Sequence, residues 1–186
     1  MTDYLMLIVS PSKALDKFNE KKPHPITLYL IGTIALAGLS LPKEIAASIN
    51  NPKGLEQLFY SLAVTPFVYF PFTYGLGYLF RIVAKGFKGI STLAEMRNLT
   101  VFSILPFILQ FVISIPFISM GLIKNDAGII THDNNLSHII LWLFSFRILI
   151  VGIAKYNKFN WTIAIFNWLI VVTFLGGLAY LGTFLK

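Results

Sequence analysis

The chain has 186 residues, of which 56% are hydrophobic and 12% are charged, and its mean hydropathy is +0.73. A soluble domain carries about 25% charged residues, so this chain has about half of the charge that a water-facing surface needs. The composition excludes an ordinary soluble protein, and the high apolar content excludes an intrinsically disordered one. The formal net charge is +7, and the absence of cysteine excludes disulfides, thiolate metal sites and cysteine nucleophiles.

The first 24 residues are interpreted as an uncleaved segment that lies partly on the membrane surface. The first charged residue is Asp3 and the apolar run is short, whereas a signal peptide has a basic start and a longer apolar core. Ser10 and Pro11 are typical of a helix start, with Ser as the N-cap and Pro at the first helical position. Residues 12–22 predict a short amphipathic helix on an anionic membrane face, with a solvated basic tail as the alternative.

Five apolar stretches are long enough to cross the membrane as helices, which takes about 20 residues. They cover residues 25–41, 58–80, 100–123, 136–154 and 161–185, approximately. Strands of a membrane barrel alternate in polarity and these stretches do not, so helices are expected. The predicted fold is all-α: a polytopic membrane protein with a bundle of five transmembrane helices. A short amphipathic N-terminal segment, residues 1–24, precedes the single membrane domain, residues 25–186.

The positions of Lys and Arg predict the orientation of this bundle. Ten of them flank the spans on the side that holds the N-terminal segment, and four lie on the opposite side. Because positive charge accumulates on the cytoplasmic side, we expect a cytoplasmic N-terminus and an external C-terminus. The cations lie between apolar stretches, so the basic balance indicates a membrane surface and no nucleic acid partner.

Proline residues predict kinks in two of the spans, at Pro66 and Pro71 and at Pro106 and Pro116. The connection between these two spans alternates basic and apolar residues and carries two glycines. Such a loop suits a cytoplasmic segment resting on lipid headgroups, followed by a helix that is capped near residue 91 or 92. Its candidate lipid-binding cations are Arg81, Lys85 and Lys88. The alternative is ordinary positive charge on the cytoplasmic side.

Arg147 lies near the middle of the fourth predicted span, where an arginine costs about 2.5–3.5 kcal/mol on insertion scales. It should therefore face water or the bundle interior. One interpretation is a site for an anionic lipid headgroup or substrate, and the other is an internal polar pair or snorkelling to an interface. The expected partners are Gln110, Asn167, a backbone carbonyl, or Glu95 if its connection folds back.

The third connection carries the metal-capable residues Asp126, His132, Asp133 and His138, whose spacing matches no zinc motif. We interpret it as a solvated outer loop, and a membrane-embedded enzyme stays open only if this loop binds a metal. The hydrolase, P-loop and dinucleotide-binding motifs are absent from the sequence. We therefore predict no enzymatic activity, no cofactor and no metal. Broken helices line the sites of many transporters, so a small transporter or lipid translocator using Arg147 is the alternative function.

Three stretches resemble the Yip family of Ypt/Rab-interacting membrane proteins, and in particular its bacterial members. They are SPSKALDKF (10–18), KGFKGISTLAEMRNLTVFSILPF (85–107) and LWLFSFRILIVGIAKYNKFNWTIAI (141–165). The resemblance implies five spans, a cytoplasmic N-terminus and a role in membrane organisation or trafficking.

The chain also departs from the pattern of the eukaryotic members of this family. It lacks their Asp-Leu-Tyr-Gly-Pro motif and their long cytoplasmic N-terminal region. These departures argue against a Rab-type GTPase as a partner. The expected partners are membrane lipids, including anionic ones, and other membrane proteins or a second copy of the chain. We expect the membrane to be the plasma membrane of a bacterium.

Overall fold

The computed structural model describes residues 2–21, 23–49, 51, 53–132 and 135–184, and within them it is almost entirely helical, with no strand. The described residues form ten α-helices and one π-helical turn, Pro71–Gly75. In chain order the helices are α1 (Thr2–Val9), α2 (Pro11–Lys21), α3 (Pro25–Ile49), α4 (Gly54–Phe70), α5 (Leu76–Gly86), α6 (Leu93–Ile104), α7 (Pro106–Lys124), α8 (Ala127–His132), α9 (Asn135–Asn157) and α10 (Trp161–Phe184). The all-α prediction is confirmed.

Four of the helical stretches are long and apolar enough to cross a membrane. They are Pro25–Ile49, Glu56–Gly86, Ala127–Asn157 and Trp161–Thr183. The segments Leu93–Gln110 and Val112–Lys124 form a fifth if the pair, which is bent by 41°, is counted as one span. The chain is therefore a polytopic membrane protein with four or five spans in its described part.

Prolines affect these helices in different ways. Helix α3 continues through the buried Pro42 to Ile49, so the helix extends eight residues beyond residue 41, the predicted end of the first span. After Pro71 the backbone widens into the π-helical turn, because proline has no N–H to donate to the carbonyl four residues earlier. Helix α7 begins at Pro106 and contains Pro116, which has no N–H to donate to the carbonyl of Val112, where the second segment of the bent pair begins.

Helix α6 lies at the centre of the bundle and contacts α3, α5 and α9. Its residues from Thr100 to Ile104 are all buried. Glycines allow its neighbours to come close: a Cβ at Gly77 of α5 would lie 2.8 Å from the backbone of Arg97. Gly152 of α9 faces the side chain of Leu99 in the same way. The hairpins α5–α6 and α9–α10 are thereby packed side by side.

The N-terminal segment folds back on itself and packs against the bundle. The rings of Tyr4 and Phe18 lie 5.0 Å apart, whereas 14 residues of straight helix would separate them by about 21 Å. Phe18 also stacks on Phe102 of α6 with ring centroids 4.6 Å apart. Helix α2 begins at Pro11 as predicted, and its apolar face, with Ala14 and Leu15 fully buried, contacts protein.

A candidate lipid-binding face at two paired turns

Helices α5 and α9 end in turns of the same sequence pattern, in which Ala-Lys is followed by a second lysine three residues later. The pattern occupies residues 84–88 and 154–158. The second lysine, Lys88 or Lys158, has a positive φ of 64° or 56°. A left-handed residue at this point is typical of a helix that ends in a Schellman motif.

The hydrogen bonds of the two turns also correspond. Gly89 N–H donates to the Ala84 carbonyl and Phe159 N–H donates to the Ala154 carbonyl, each at 2.8 Å. Both are the long-range bond of a Schellman motif, which satisfies a carbonyl at the helix end. The two turns therefore have the same backbone shape and lie at the same end of the bundle.

Each turn leads directly into a capped helix. The Thr92 hydroxyl accepts from the Glu95 N–H at 3.2 Å, and the Glu95 carboxylate accepts from the Thr92 N–H at 2.7 Å. This is a capping box, and it confirms the predicted cap at the start of α6. At the second turn the Asn160 side chain accepts from the Ile163 N–H at 2.9 Å.

Asn157 joins the two turns. Its Oδ1 accepts from the Ser91 N–H at 3.1 Å, and its Nδ2 donates to the Ile153 carbonyl at 3.0 Å. Asn157 is 3% exposed, so its bond to Ser91 is shielded from water. Gly89 leaves room for this contact, because a Cβ there would overlap the Asn157 side chain. The rings of Phe87 and Phe159 add an edge contact at 6.4 Å.

The outer surface of the paired turns alternates cations with apolar side chains. Its exposed cations are Lys85, Lys88 and Lys158. Its exposed apolar residues are Phe87 (38%), Ile90 (61%) and Trp161 (57%). Aromatic side chains and lysines together are the composition that suits the headgroup level of an anionic membrane.

The remaining predicted site residues are dispersed through the bundle. Arg81 lies one helical turn deeper than Lys85, and its buried Nε has no hydrogen-bond partner among the described residues. Asn167 is buried where α10 meets α5 and donates to the Phe80 carbonyl at 3.2 Å. Gln110 is buried in α7, where its amide donates to the Ser114 hydroxyl at 3.2 Å. Neither Gln110 nor Asn167 forms a hydrogen bond with Arg147 in the described part of the chain.

Arg147 and Lys155 of α9 both bind the N-terminal hairpin. The Arg147 guanidinium donates to the carbonyl of Ile8, in the last turn of α1, at 3.4 Å. Lys155 Nζ lies 2.6 Å from the Asp16 carboxylate and donates to the Ser12 carbonyl at 2.5 Å. A backbone carbonyl was among the partners expected for Arg147, but the N-terminal segment was not expected to supply it.

Lys158 belongs to this face, Asn157 joins its two turns, and Lys155 attaches the N-terminal hairpin beside it, although none of the three was predicted as a site residue. A detectable signal was the Ala-Lys-x-x-Lys pattern, which occurs twice at a spacing of 70 residues. The contact between Asn157 and Ser91 carries no such signal, because the two residues lie 66 positions apart.

The described metal-capable residues of the third connection form hydrogen bonds with near neighbours in the chain. Asp126 accepts from the Gly128 N–H at 2.8 Å, and His138 Nε2 accepts from the Trp142 indole at 2.9 Å. Asp133 lies outside the described residues. Within the described part of the chain, no group of three or more His, Asp or Glu residues is placed to hold a metal ion.

Comparisons with known proteins identify the family. The Yip1 domain model matches residues 5–183, which is nearly the whole chain. No curated protein and no solved structure matches the chain significantly. The match agrees with the resemblance carried by the three sequence stretches, and the chain belongs to the Yip1 domain family.

Proposed function

We propose that this Yip1-domain protein is a non-enzymatic membrane protein whose paired turns bind anionic lipid headgroups at the cytoplasmic surface. Through this contact it organises the surrounding lipid or partner membrane proteins. The observation that carries the proposal is the set of three exposed lysines alternating with exposed Phe87, Ile90 and Trp161. These side chains stand on turns whose relative position is fixed by Asn157.

The energetics favour such a surface. Each lysine close to an anionic membrane contributes about 1 kcal/mol, and aromatic rings prefer the interface between hydrocarbon and water. Because the backbone of both turns is already ordered by hydrogen bonds, binding restricts the lysine side chains but not the loops. Lys88 and Lys158 have similar left-handed backbone conformations, so a lipid headgroup that contacts both turns meets two lysines in the same local geometry.

We further propose that these turns face the cytoplasm of a bacterial cell and that the C-terminus is external. The contact between Lys155 and Asp16 holds α2 beside the second turn. The exposed Lys13 and Lys21 of α2 therefore add positive charge on the side of the bundle that carries the paired turns. Concentrated lysine on one side is typical of the cytoplasmic face.

A small transporter or lipid translocator is the second candidate. The supporting observation is the 41° bend between the segments Leu93–Gln110 and Val112–Lys124, next to the buried Gln110, which contacts Ser114. Bent helices with buried polar groups line the sites of many transporters. Flux or lipid flip-flop in reconstituted vesicles that Gln110→Leu abolishes would favour this candidate over the binding function.

Native mass spectrometry of protein released from nanodiscs tests the proposed function. The nanodiscs contain equal amounts of phosphatidylglycerol and phosphatidylcholine, and the turn-lysine variant combines Lys85→Gln, Lys88→Gln and Lys158→Gln. The control combines Lys43→Gln, Lys53→Gln and Lys124→Gln, which removes three exposed lysines toward the opposite end of the spans.

We expect the wild type and the control to retain phosphatidylglycerol selectively. The turn-lysine variant should retain fewer phosphatidylglycerol molecules than the control, with binding at the turns about fivefold weaker per lysine removed. Equal retention by the turn-lysine variant and the control would contradict the proposal.

A further inference from the structure

An apolar cavity of about 240 Å³ lies between α1 and the bundle. Its lining residues include Leu5, Leu7 and Ile8 of α1 and, opposite them, Ile31, Leu109 and Ile148. An apolar cavity of about 150 Å³ in another protein stays dry and takes up benzene. The cavity beneath α1 therefore has room for a longer piece of hydrocarbon.

Arg147 stands at the edge of this cavity. It precedes Ile148 in α9, and its guanidinium donates to the carbonyl of Ile8. Ile148 and Ile8 both line the cavity, so Arg147 lies beside it. This bond, at 3.4 Å, is the single hydrogen bond of Arg147 in the described part of the chain, although a guanidinium has five N–H donors. Its exposed side chain therefore retains donors for a phosphate or carboxylate, which a guanidinium binds in a bidentate manner.

A separate polar cluster lies farther along α9, toward the end of the bundle that carries the paired turns. Arg147 and Lys155 are eight residues apart on α9, or about 12 Å along the helix. Between them lies the bend of the N-terminal hairpin, whose Ser12 carbonyl and hydroxyl both contact Lys155. An anionic group held at Arg147 therefore lies about 12 Å along α9 from the cluster of Lys155, Ser12 and Asp16, with the apolar cavity beside it.

We propose that this cavity binds the hydrocarbon tail of an anionic amphiphile whose phosphate or carboxylate is held by Arg147, with α1 closing over the tail. This site is separate from the paired turns. The cavity binds the hydrocarbon tail of one molecule, whereas the turns bind lipid headgroups. Two sources supply this chemistry, an anionic phospholipid and a free fatty acid, and the experiment distinguishes them.

The test uses the full chain in the turn-lysine background, so that retained lipid reports this cavity and not the turns. One set of nanodiscs contains phosphatidylglycerol, and the other contains phosphatidylcholine with added oleic acid. The variants are Arg147→Gln, which removes the cation, and Leu109→Phe and Leu5→Phe, which fill the cavity from opposite walls. Lys124→Gln, at the far end of α7, is the matched control.

Native mass spectrometry should show one of the two probes bound to the background protein and to the control. Arg147→Gln and at least one cavity-filling variant should lose that probe by tenfold or more. Failure of the background protein to retain either probe overturns the proposal. So does retention by Arg147→Gln, or retention by both cavity-filling variants.

A second readout separates ligand binding from docking of the hairpin, which Arg147 also supports. Ala14 is fully buried on the apolar face of α2 and the natural chain has no cysteine, so the thiol of Ala14→Cys reacts with a maleimide only when the hairpin leaves the bundle. The proposal requires a cavity-filling variant that loses the probe while this thiol stays protected. Labelling in every variant that loses the probe shows that hairpin release caused the loss, and overturns the proposal.

Discussion

Substituting Gly89 by alanine tests the contact between the two turns. An added Cβ would lie 2.8 Å from the Ala84 carbonyl and 2.9 Å from the Phe159 ring, and it would overlap the Asn157 side chain. The first of these is backbone and cannot rotate away, so the turn must shift and the bond from Ser91 to Asn157 is strained. Overpacking of this kind typically costs about 1–3 kcal/mol.

Gly86→Ala is the matched control for Gly89→Ala. It lies three residues earlier in the same turn, and a Cβ there meets no atom of the described residues within 4 Å. Thermal unfolding of both variants in the same detergent should show a decrease of about 2–12 °C for Gly89→Ala, at about 2–4 °C per kcal/mol. Gly86→Ala should unfold at or slightly above the wild-type temperature, because alanine is the better helix residue. Equal unfolding temperatures for the two variants would refute the paired-turn geometry.

Three further predictions concern helix packing, the turn contact and hairpin docking. Gly77→Ala should lower the unfolding temperature and Gly75→Ala should not, because only a Cβ at Gly77 would lie 2.8 Å from the backbone of Arg97. A larger decrease for Gly75→Ala than for Gly77→Ala would contradict the α5–α6 packing. Asn157→Ala should cost about 1–3 kcal/mol by leaving a buried N–H unpaired, and an unchanged denaturation curve would argue against that bond. Asp16→Asn should leave stability within about 1 kcal/mol, because the pair is partly exposed. It should nevertheless increase maleimide labelling of the thiol at position 14, and unchanged labelling would show that the ion pair does not hold the hairpin.

Local signals in the sequence predicted the elements of this fold well. Apolar stretches of sufficient length predicted the spanning helices, and Ser10-Pro11 predicted the start of α2. The cap at Thr92 followed from side-chain chemistry within three residues. Each of these features depends on neighbours in the chain, so one sequence is enough to find it.

The tertiary contacts depend on residues that are far apart in the chain. The Arg147 contact with Ile8 spans 139 positions, and neither residue indicates the other. The effect of each proline on its helix also depends on packing, since Pro42 lies within an uninterrupted α-helix whereas a π-helical turn begins at Pro71. The candidate face was therefore predicted only in its first turn, through Lys85 and Lys88.

Fluorescence of Trp161 beside the second turn gives the most direct test of the central claim. Trp142→Phe and Trp168→Phe leave Trp161 as the single tryptophan, and a variant retaining only Trp142 is the control. In vesicles, brominated phosphatidylglycerol should quench Trp161 more strongly than brominated phosphatidylcholine at the same mole fraction. This difference should shrink at high salt, which screens exposed charges, and disappear in the turn-lysine variant. Equal quenching by the two lipids at low salt would contradict binding of anionic headgroups by the paired turns.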